Sequence, residues 1–312
     1  MFQGMKYVYE VYKEKSFSKA AASLFISQPS LSANVKRIEN RIGSPNFDRS
    51  TKPLQLTEVG EHYIQAIEKI MDIENNLENF IRDLGDLKTG TLNIGGSNFF
   101  SSWVLPSLIA DFSQKFPNIQ ISLVEESSAN LSLLLQAGKL DLMIDNCILD
   151  EQIFDHYVYQ KEYLLLAVPK SYSVNTRLQE YQIPIETIHD GSFLSPEVLS
   201  VPLNSFANEP FIILRSDNDT GKRALTICQE NNFTPHTIFR LDQQMTAYNI
   251  ACSGMGITFI GDLLLASAPA TSELIFYKLP GKNCNRNVSF YWKKGRYISR
   301  AMEEFLKIAL PQ

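Results

Sequence analysis

The side chains best suited to bind another molecule lie close together near the start of the chain, between residues 27 and 52. They are hydroxyls, amides and cations, and they lack the spacing of a catalytic set. Hydroxyl and amide groups can read the edges of base pairs, whereas Lys and Arg can pair with phosphates. The candidate contacts to double-stranded DNA are Ser27, Gln28, Pro29, Ser30, Ser32, Asn34, Lys36, Arg37, Arg49 and Lys52.

Most of these residues fall on one predicted amphipathic helix. This helix follows a tight turn, is capped by Ser27 or Gln28, starts at Pro29 and ends at Gly43. Four aliphatic residues recur on one face, and the polar and cationic residues occupy the other. A short Ala-rich helix capped by Ser18 precedes the turn, so the two helices form a helix-turn-helix.

Two further elements flank the helix-turn-helix. A first helix is predicted over residues 6–12. After the helix-turn-helix, Phe47, Leu54 and Leu56 flank a polar run, which indicates a two-stranded wing with cations at its tip. An ordinary small helical domain with a solvated charged face is the alternative. The order of turn, cap, helix and wing favours DNA binding instead.

Two stretches resemble LysR-type transcriptional regulators almost position by position. They are SFSKAAASLFISQPSLSANVKRIENRIGSPNFDRS, residues 16–50, and LTEVG, residues 56–60. The resemblance continues at lower strength to the C-terminus. It implies an N-terminal winged helix-turn-helix, a long linker helix and a C-terminal effector domain. Ala33 departs from the family pattern, which very often has Arg at this position, so the family's operator rules do not carry over directly.

A long helical pattern follows the wing. Its apolar residues recur at alternating gaps of four and three with Glu74 as the single interruption, which is a heptad seam of about three repeats. The seam residues are Tyr63, Ile67, Ile70, Leu77, Ile81 and Leu84. A dimer through this helix would set two recognition helices a fixed distance apart on DNA. Packing of the helix against the chain's own domain is the alternative.

Strands and helices alternate from residue 91 onward, which predicts a parallel sheet with right-handed crossovers. The resemblance implies two such lobes. We therefore predict an α/β fold class with a winged helix-turn-helix over 1–57, a linker (dimerisation) helix over 58–88 and a two-lobed, periplasmic-binding-protein-like effector domain over 89–312. Residues 173–206 are rich in Pro and Ser, and we interpret them as a surface insertion, with a lid or an interface element as alternatives.

The resemblance places an effector site between the two lobes, where ligands of α/β sheets meet strand ends and helix N-termini. Its candidate residues are Ser97, Asn98, Phe99, Ser101, Ser128, Asn146, Asp217, Asn218, Thr220 and Gln243. Backbone N–H groups at 97–101 would favour an anion. Asn146, however, stands where some relatives carry an Arg, which leaves a small polar or neutral ligand open. A purely local role in caps and turns is the competing interpretation of each residue.

The formal net charge of −5 conceals an asymmetry. Residues 1–60 hold nine Lys or Arg and five Asp or Glu, whereas the remainder holds 20 and 29. Only the N-terminal segment is therefore suited to a polyanion. No apolar run approaches the ~20 residues that span a bilayer, and no signal-peptide pattern is present. We expect a cytoplasmic protein with no membrane partner.

The residue inventory favours a regulator over an enzyme. The four Cys and four His lack metal-ligand spacing, so we predict no metal and no cofactor, with a cysteine redox switch as a minor alternative. No catalytic motif is present. We predict a sequence-specific, DNA-binding transcriptional regulator that responds to a small-molecule effector, forms a homodimer or homotetramer and contacts RNA polymerase. The alternatives are a small-molecule carrier with a helical appendage and an architectural DNA-binding protein that ignores ligands.

Overall fold

The structure is a computed structural model that describes residues 3–51, 53–83, 90–216, 218–267 and 271–310. Contacts divide the chain into two compact units, Met1–Ile81 and Arg82–Gln312. Within the described ranges, every helix is too short or too polar to cross a membrane.

The first unit is helical with one small hairpin. Its elements are α1 (Met5–Glu14), α2 (Phe17–Ser23), α3 (Gln28–Ile42), β1 (Phe47–Asp48), β2 (Gln55–Leu56) and α4 (Glu58–Asp83). The predicted helix-turn-helix is α2 and α3, and the antiparallel pair β1–β2 forms the wing. Val8, Ala20, Leu31, Val35 and Tyr63 represent the four helices in one buried core. The small Ala20 side chain allows α1 and α3 to approach α2 closely.

Local signals set the boundaries of α2 and α3. Ser16 caps α2 with an extended backbone and accepts a hydrogen bond from the N–H three residues later. Ser18 already lies inside the helix, so its assignment as the cap is wrong. Ser27, rather than Gln28, caps α3, and Gly43 ends α3 in the left-handed region at φ 88°.

The apolar residues of the long helix α4 are buried near its start and exposed further along. Tyr63 and Ile67 are buried in the core of the first unit, so the first part of the predicted seam packs against the chain's own domain. Further along, Leu77 and Ile81 are 56% and 57% exposed. The seam is therefore divided between an internal contact and an exposed stripe. Leu84 lies outside the described residues.

The second unit is built on a ten-stranded mixed sheet within the described residues. Its strands are β3 (Gly90–Gly96), β4 (Ile119–Glu125), β5 (Leu142–Asp145), β6 (Phe154–Pro169), β7 (Gln182–Ile183), β8 (Pro210–Leu214), β9 (His236–Leu241), β10 (Ile257–Gly261), β11 (Leu274–Lys278) and β12 (Asn285–Lys293). Its helices are α5 (Leu105–Lys115), α6 (Ser128–Gln136), α7 (Ile185–His189), α8 (Asp219–Glu230), α9 (Gln244–Cys252), α10 (Asp262–Ser267) and α11 (Arg300–Ala309).

The strand order shows the predicted two lobes. The main path is β4-β3-β5-β12-β6-β10-β8-β9, with β11 and β7 off this path. In one lobe β3 runs parallel to β4 and β5, and in the other β8 runs parallel to β9 and β10. The long strand β6 joins them, because its residues 154–163 pair with β12 whereas 164–169 pair with β10 and β11.

The segment 173–206 is part of the second lobe rather than a surface insertion, so that prediction is wrong. Its Val174, Val201 and Phe206 side chains are buried in the core of this lobe. Asn175 accepts a hydrogen bond from the buried Tyr277 hydroxyl at 2.7 Å. Scattered apolar residues among Pro and Ser gave no period that could show which side was buried.

Candidate functional site

The N-terminal end of α3 presents a continuous polar surface. Ser27, Gln28, Pro29 and Ser30 are all exposed. The Ser27 hydroxyl accepts the Ser30 N–H at 3.3 Å, which orders the first turn. The first N–H groups of a helix also favour a nearby anion. This end of the helix can therefore meet both base edges and phosphate groups.

The middle of α3 adds cations to this surface. Lys36 and Arg37 are exposed, whereas Ser32 and Asn34 are half-buried. Asn34 donates its amide N–H to the Ser30 carbonyl at 3.0 Å, so its carbonyl oxygen is left to accept hydrogen bonds. The predicted face is thus polar over about three turns.

A groove between the start of α1 and α3 collects further positive charge. It has a volume of about 310 Å³, and its lining includes Lys6, Arg37 and Arg41 beside Asn34. Lys6 and Arg41 were not among the predicted contacts. Arg41 lies four residues after Arg37 and so shares its helix face, a signal present in the sequence. The approach of Lys6 is tertiary and has no local signal.

Of the two predicted wing cations, only Arg49 lies among the described residues. Arg49 makes an ion pair with the buried Glu39 at 3.0 Å, and its guanidinium lies 5.1 Å from the centroid of the Phe17 ring. Glu39 also accepts the Asn46 N–H at 2.9 Å. Arg49 therefore anchors the wing to α3, and its side chain remains 46% exposed. Lys52 lies outside the described residues.

In the second unit, a small cavity lies between the ends of strands and the starts of helices. Its volume is about 30 Å³, close to the volume of one water molecule. Its lining is Ser97, Phe99, Phe100, Ser128, Asn146, Asn218, Thr220, Gln243 and Gln244. Seven of these were predicted. Phe100 and Gln244 were missed, although each directly follows a predicted residue in the chain.

Three predicted effector residues are not among this lining. Asn98 points its amide to Glu125 at 2.9 Å on the surface. Ser101 is buried and donates its hydroxyl to the Gly96 carbonyl at 2.9 Å. Both residues are near Phe99 in the chain, but the hydrogen bonds of their side chains are made outside the cavity. Asp217 lies outside the described residues.

Two buried carboxylates hold the polar groups of the first lobe. The Ser128 hydroxyl donates to Asp145 at 2.7 Å, and the Asn146 amide donates to Glu162 at 3.1 Å. Asp145 and Glu162 are almost inaccessible to solvent. The cavity thus has a neutral lining above a layer of buried charge.

Arg286 joins this layer to the second lobe. Its guanidinium contacts Glu162 at 2.6 Å and Asp219, at the start of α8, at 2.8 Å. Arg223 also pairs with Asp219, at 2.7 Å. A Cβ at Gly261 would overlap the Oε1 atom of Glu162, so this position has to be glycine for the carboxylate to fit.

Burial and ion pairing shift the titration of these groups in different ways. Burial raises the pKa of Asp145, against the hydrogen bonds from Ser128 and the Cys147 N–H. Burial alone would lower the pKa of Arg286, but the charges of Glu162 and Asp219 raise it overall. The guanidinium therefore stays charged at neutral pH.

The cysteines are thiols rather than disulfides among the residues that the structure describes. Burial raises the pKa of both Cys228 and Cys284 to about 12, and it also raises that of Cys147. The reactive species of cysteine is the thiolate, which these environments disfavour. The described part of the chain has no group of three or more His, Cys, Asp or Glu that could hold a metal ion.

Two family models together cover most of the chain. Residues 2–61 match the bacterial regulatory helix-turn-helix protein of the lysR family, and residues 85–312 match the LysR substrate binding domain. The chain belongs to the LysR family. It is a DNA-binding transcriptional regulator with an effector-binding domain, so the predicted family and function are confirmed.

Relatives that match nearly the whole of this LysR-family chain are named as transcriptional regulators. The HTH-type transcriptional regulator YcgK of Bacillus subtilis is 26% identical over 309 residues, covering 98% of this chain and 92% of that protein. A probable RuBisCO transcriptional regulator of Trichormus variabilis is 25% identical over 308 residues, covering 96% of this chain and 84% of that protein.

Solved structures of full-length LysR regulators share the fold. A full-length OxyR variant from Pseudomonas aeruginosa has a TM-score of 0.70 at 19% identity, covering 99% of this chain and 94% of that one. CbnR complexed with its target DNA has a TM-score of 0.62 at 16% identity, covering 99% and 98%. At these identities the similarity concerns the fold alone.

Proposed function

We propose that α3 of this LysR-family regulator enters the major groove of its operator. In this arrangement Gln28, Ser30 and Asn34 face base edges, and Arg37 meets phosphate. The observation that carries the proposal is the exposed polar start of α3 beside a groove lined by three cations. The full set of proposed contacts is Ser27, Gln28, Pro29, Ser30, Ser32, Asn34, Lys36, Arg37, Arg49 and Lys52.

The proposed assembly is a dimer through α4 that pairs again into a tetramer. Ile73, Leu77 and Ile81 recur at helical spacing on α4 and are all more than half exposed. A second copy of this helix would cover them and fix the distance between two recognition helices. The CbnR structure, which contains target DNA, supports DNA binding by a protein of this fold.

The cavity of the second unit is the proposed effector site. A ligand there would alter subunit packing, and hence DNA bending and contact with RNA polymerase in the cytoplasm. It can do so only through different affinities for the two assemblies. The cavity of about 30 Å³ is far smaller than a typical ligand pocket, so its lining has to separate when a ligand enters.

Variants of α3 test the DNA interface. Arg37→Ala is expected to weaken binding to every duplex roughly tenfold and to reduce the salt slope by about 1, because one phosphate contact is lost. Gln28→Ala is expected to change sequence preference instead. Fluorescence anisotropy with operator and scrambled duplexes measures both. Lys13→Ala, an exposed cation of α1 paired with Glu10, is the control. Equal effects of Lys13→Ala and Arg37→Ala would contradict the assignment.

A charge on the exposed stripe of α4 tests the assembly. Leu77→Asp is expected to raise the dimer dissociation constant by at least about tenfold, since it places carboxylates in an apolar contact. Analytical ultracentrifugation of the full chain measures this constant. Glu74→Asp keeps the charge on the same helix and serves as the control. An unchanged dimer in Leu77→Asp would place the contact elsewhere.

A further inference from the structure

The first-lobe side of the cavity offers hydrogen-bond acceptors. The Ser128 hydroxyl has one proton, which it donates to Asp145, so it can only accept from a ligand. Asn146 turns its amide nitrogen to Glu162, because a carboxylate paired with Arg286 can only accept. The carbonyl oxygen of Asn146 is then left for a ligand. A molecule bound on this side therefore has to supply donors.

The charged groups beneath these side chains also favour a cation. Three carboxyl groups, Asp145, Glu162 and Asp219, lie here with only two guanidinium groups, Arg223 and Arg286. The lining of the cavity, as the structure describes it, contains no Lys or Arg. An ammonium group against Ser128 and Asn146 would be attracted to this layer, whereas a carboxylate would be repelled.

The other side of the cavity offers a donor. Gln244 begins α9 and lines the cavity, and its side-chain Nε2 is buried with no hydrogen-bond partner among the described residues. Buried polar groups in native structures are nearly always hydrogen-bonded, so this nitrogen indicates a missing acceptor. The first N–H groups of α9 add to the attraction for an oxygen with negative charge.

We propose that the effector is a small molecule with an ammonium group held by Ser128 and Asn146 and an oxygen acceptor held by Gln244. An α-amino acid is the simplest molecule with this pattern. Such a molecule enters only when the lining separates, because the cavity of about 30 Å³ has room for about one water molecule. The inference rests on the proposed function, because it assumes that this cavity is the effector site.

Thermal unfolding of the full-length protein tests the ligand class. Each of the twenty standard α-amino acids is added alone, and any that binds is compared with its des-amino acid. At least one amino acid is expected to raise the melting temperature with increasing concentration. Its des-amino counterpart, which lacks the ammonium group, is expected to bind at least about tenfold more weakly.

Matched variants place the binding in the cavity. Ser128→Ala and Asn146→Ala are each expected to weaken binding of the amino acid at least about tenfold. Ser132→Ala, on the exposed side of α6, and Asn98→Ala, outside the cavity, are expected to leave its affinity unchanged. Operator binding by each variant confirms that the protein is folded.

Several outcomes would overturn the inference. Equal affinity for an amino acid and its des-amino acid would remove the requirement for a donor. If none of the twenty amino acids raises the melting temperature of protein that binds its operator, the proposed ligand class is wrong. A carboxylic acid whose binding is lost in Ser128→Ala would reject the ligand class but retain the cavity as the effector site. Amino-acid binding that neither variant changes would reject both.

Discussion

The two regions proposed to bind other molecules carry their charges in opposite ways. On α3 and its groove, Lys36 and Arg37 are exposed around polar side chains. In the second unit, Arg286 and Glu162 are buried beneath a neutral lining. Exposed cations suit a polyanion that is held by many separate contacts. Buried ion pairs instead fix the orientation of neutral groups, so each charge there depends on the others.

Removal of one buried charge gives the largest expected effect. Arg286→Ala is expected to lower the free energy of unfolding by about 3–5 kcal/mol, because the buried Glu162 loses its ion-pair partner and Asp219 keeps only Arg223. The control is Arg215→Ala, whose ion pair with Asp242 is 59% and 61% exposed and is expected to contribute at most about 1 kcal/mol. Urea denaturation of the full chain measures both.

Similar losses in the two variants would break the comparison between buried and exposed charges. If Arg286→Ala does not fold, Arg286→Met combined with Glu162→Leu provides a second measurement. This double variant removes both charges and fills the space with apolar groups, so it is expected to be more stable than Arg286→Met alone.

Asp262 is a partly buried carboxyl next to this network of ion pairs. Removal of its charge is expected to raise the free energy of unfolding, by less than Arg286→Ala lowers it. Burial raises the pKa of Asp262 from 3.8 to about 6, and the charge of Glu162 also raises it. The folded state therefore holds the proton more tightly than the unfolded state. Stability from this group is present below about pH 4 and is lost as the pH rises to about 6.

Asp262→Asn sharpens this point because it removes the charge but keeps an acceptor oxygen. The Asp262 Oδ1 atom accepts the N–H groups of Tyr163 and Leu263, both at 2.9 Å. The variant is expected to be more stable by about 2–3 kcal/mol at pH 8, and no more stable at pH 4. Urea titrations at the two pH values measure the difference. An equal effect at both would show that the charge is not responsible.

The parts of the molecule that sequence could predict are those with local signals. Ser27 and Gly43 bound α3 because a cap and a left-handed glycine act within one turn. Seven residues of the cavity were predicted through the family resemblance, which places them at strand ends and helix starts. Their proposed role in binding an effector is a prediction that the ligand experiment tests.

The parts that sequence could not predict depend on long-range contacts. Arg286 is 124 positions from Glu162 and 67 from Asp219, and neither spacing has a pattern. Asn175 meets Tyr277 across 102 positions, which is why the segment around it looked like a surface insertion. The charges beneath the cavity, and hence the preference for a donor, are visible only once the two lobes are assembled.

The smallest expected effect lies in the exposed turn of the first unit. Phe25 is 96% exposed and has a left-handed backbone with φ 53°, which a bulky side chain rarely adopts. Phe25→Asn is expected to raise the free energy of unfolding by about 0.5–1 kcal/mol, because Asn tolerates this conformation. Phe25→Leu keeps both the strain and the apolar character, so it is the control, and thermal unfolding compares them. No difference between the variants would show that the backbone is not strained here.

Operator affinity is expected to stay unchanged in Phe25→Asn, since Phe25 is not among the proposed contacts. A large loss would extend the DNA-binding surface to the turn.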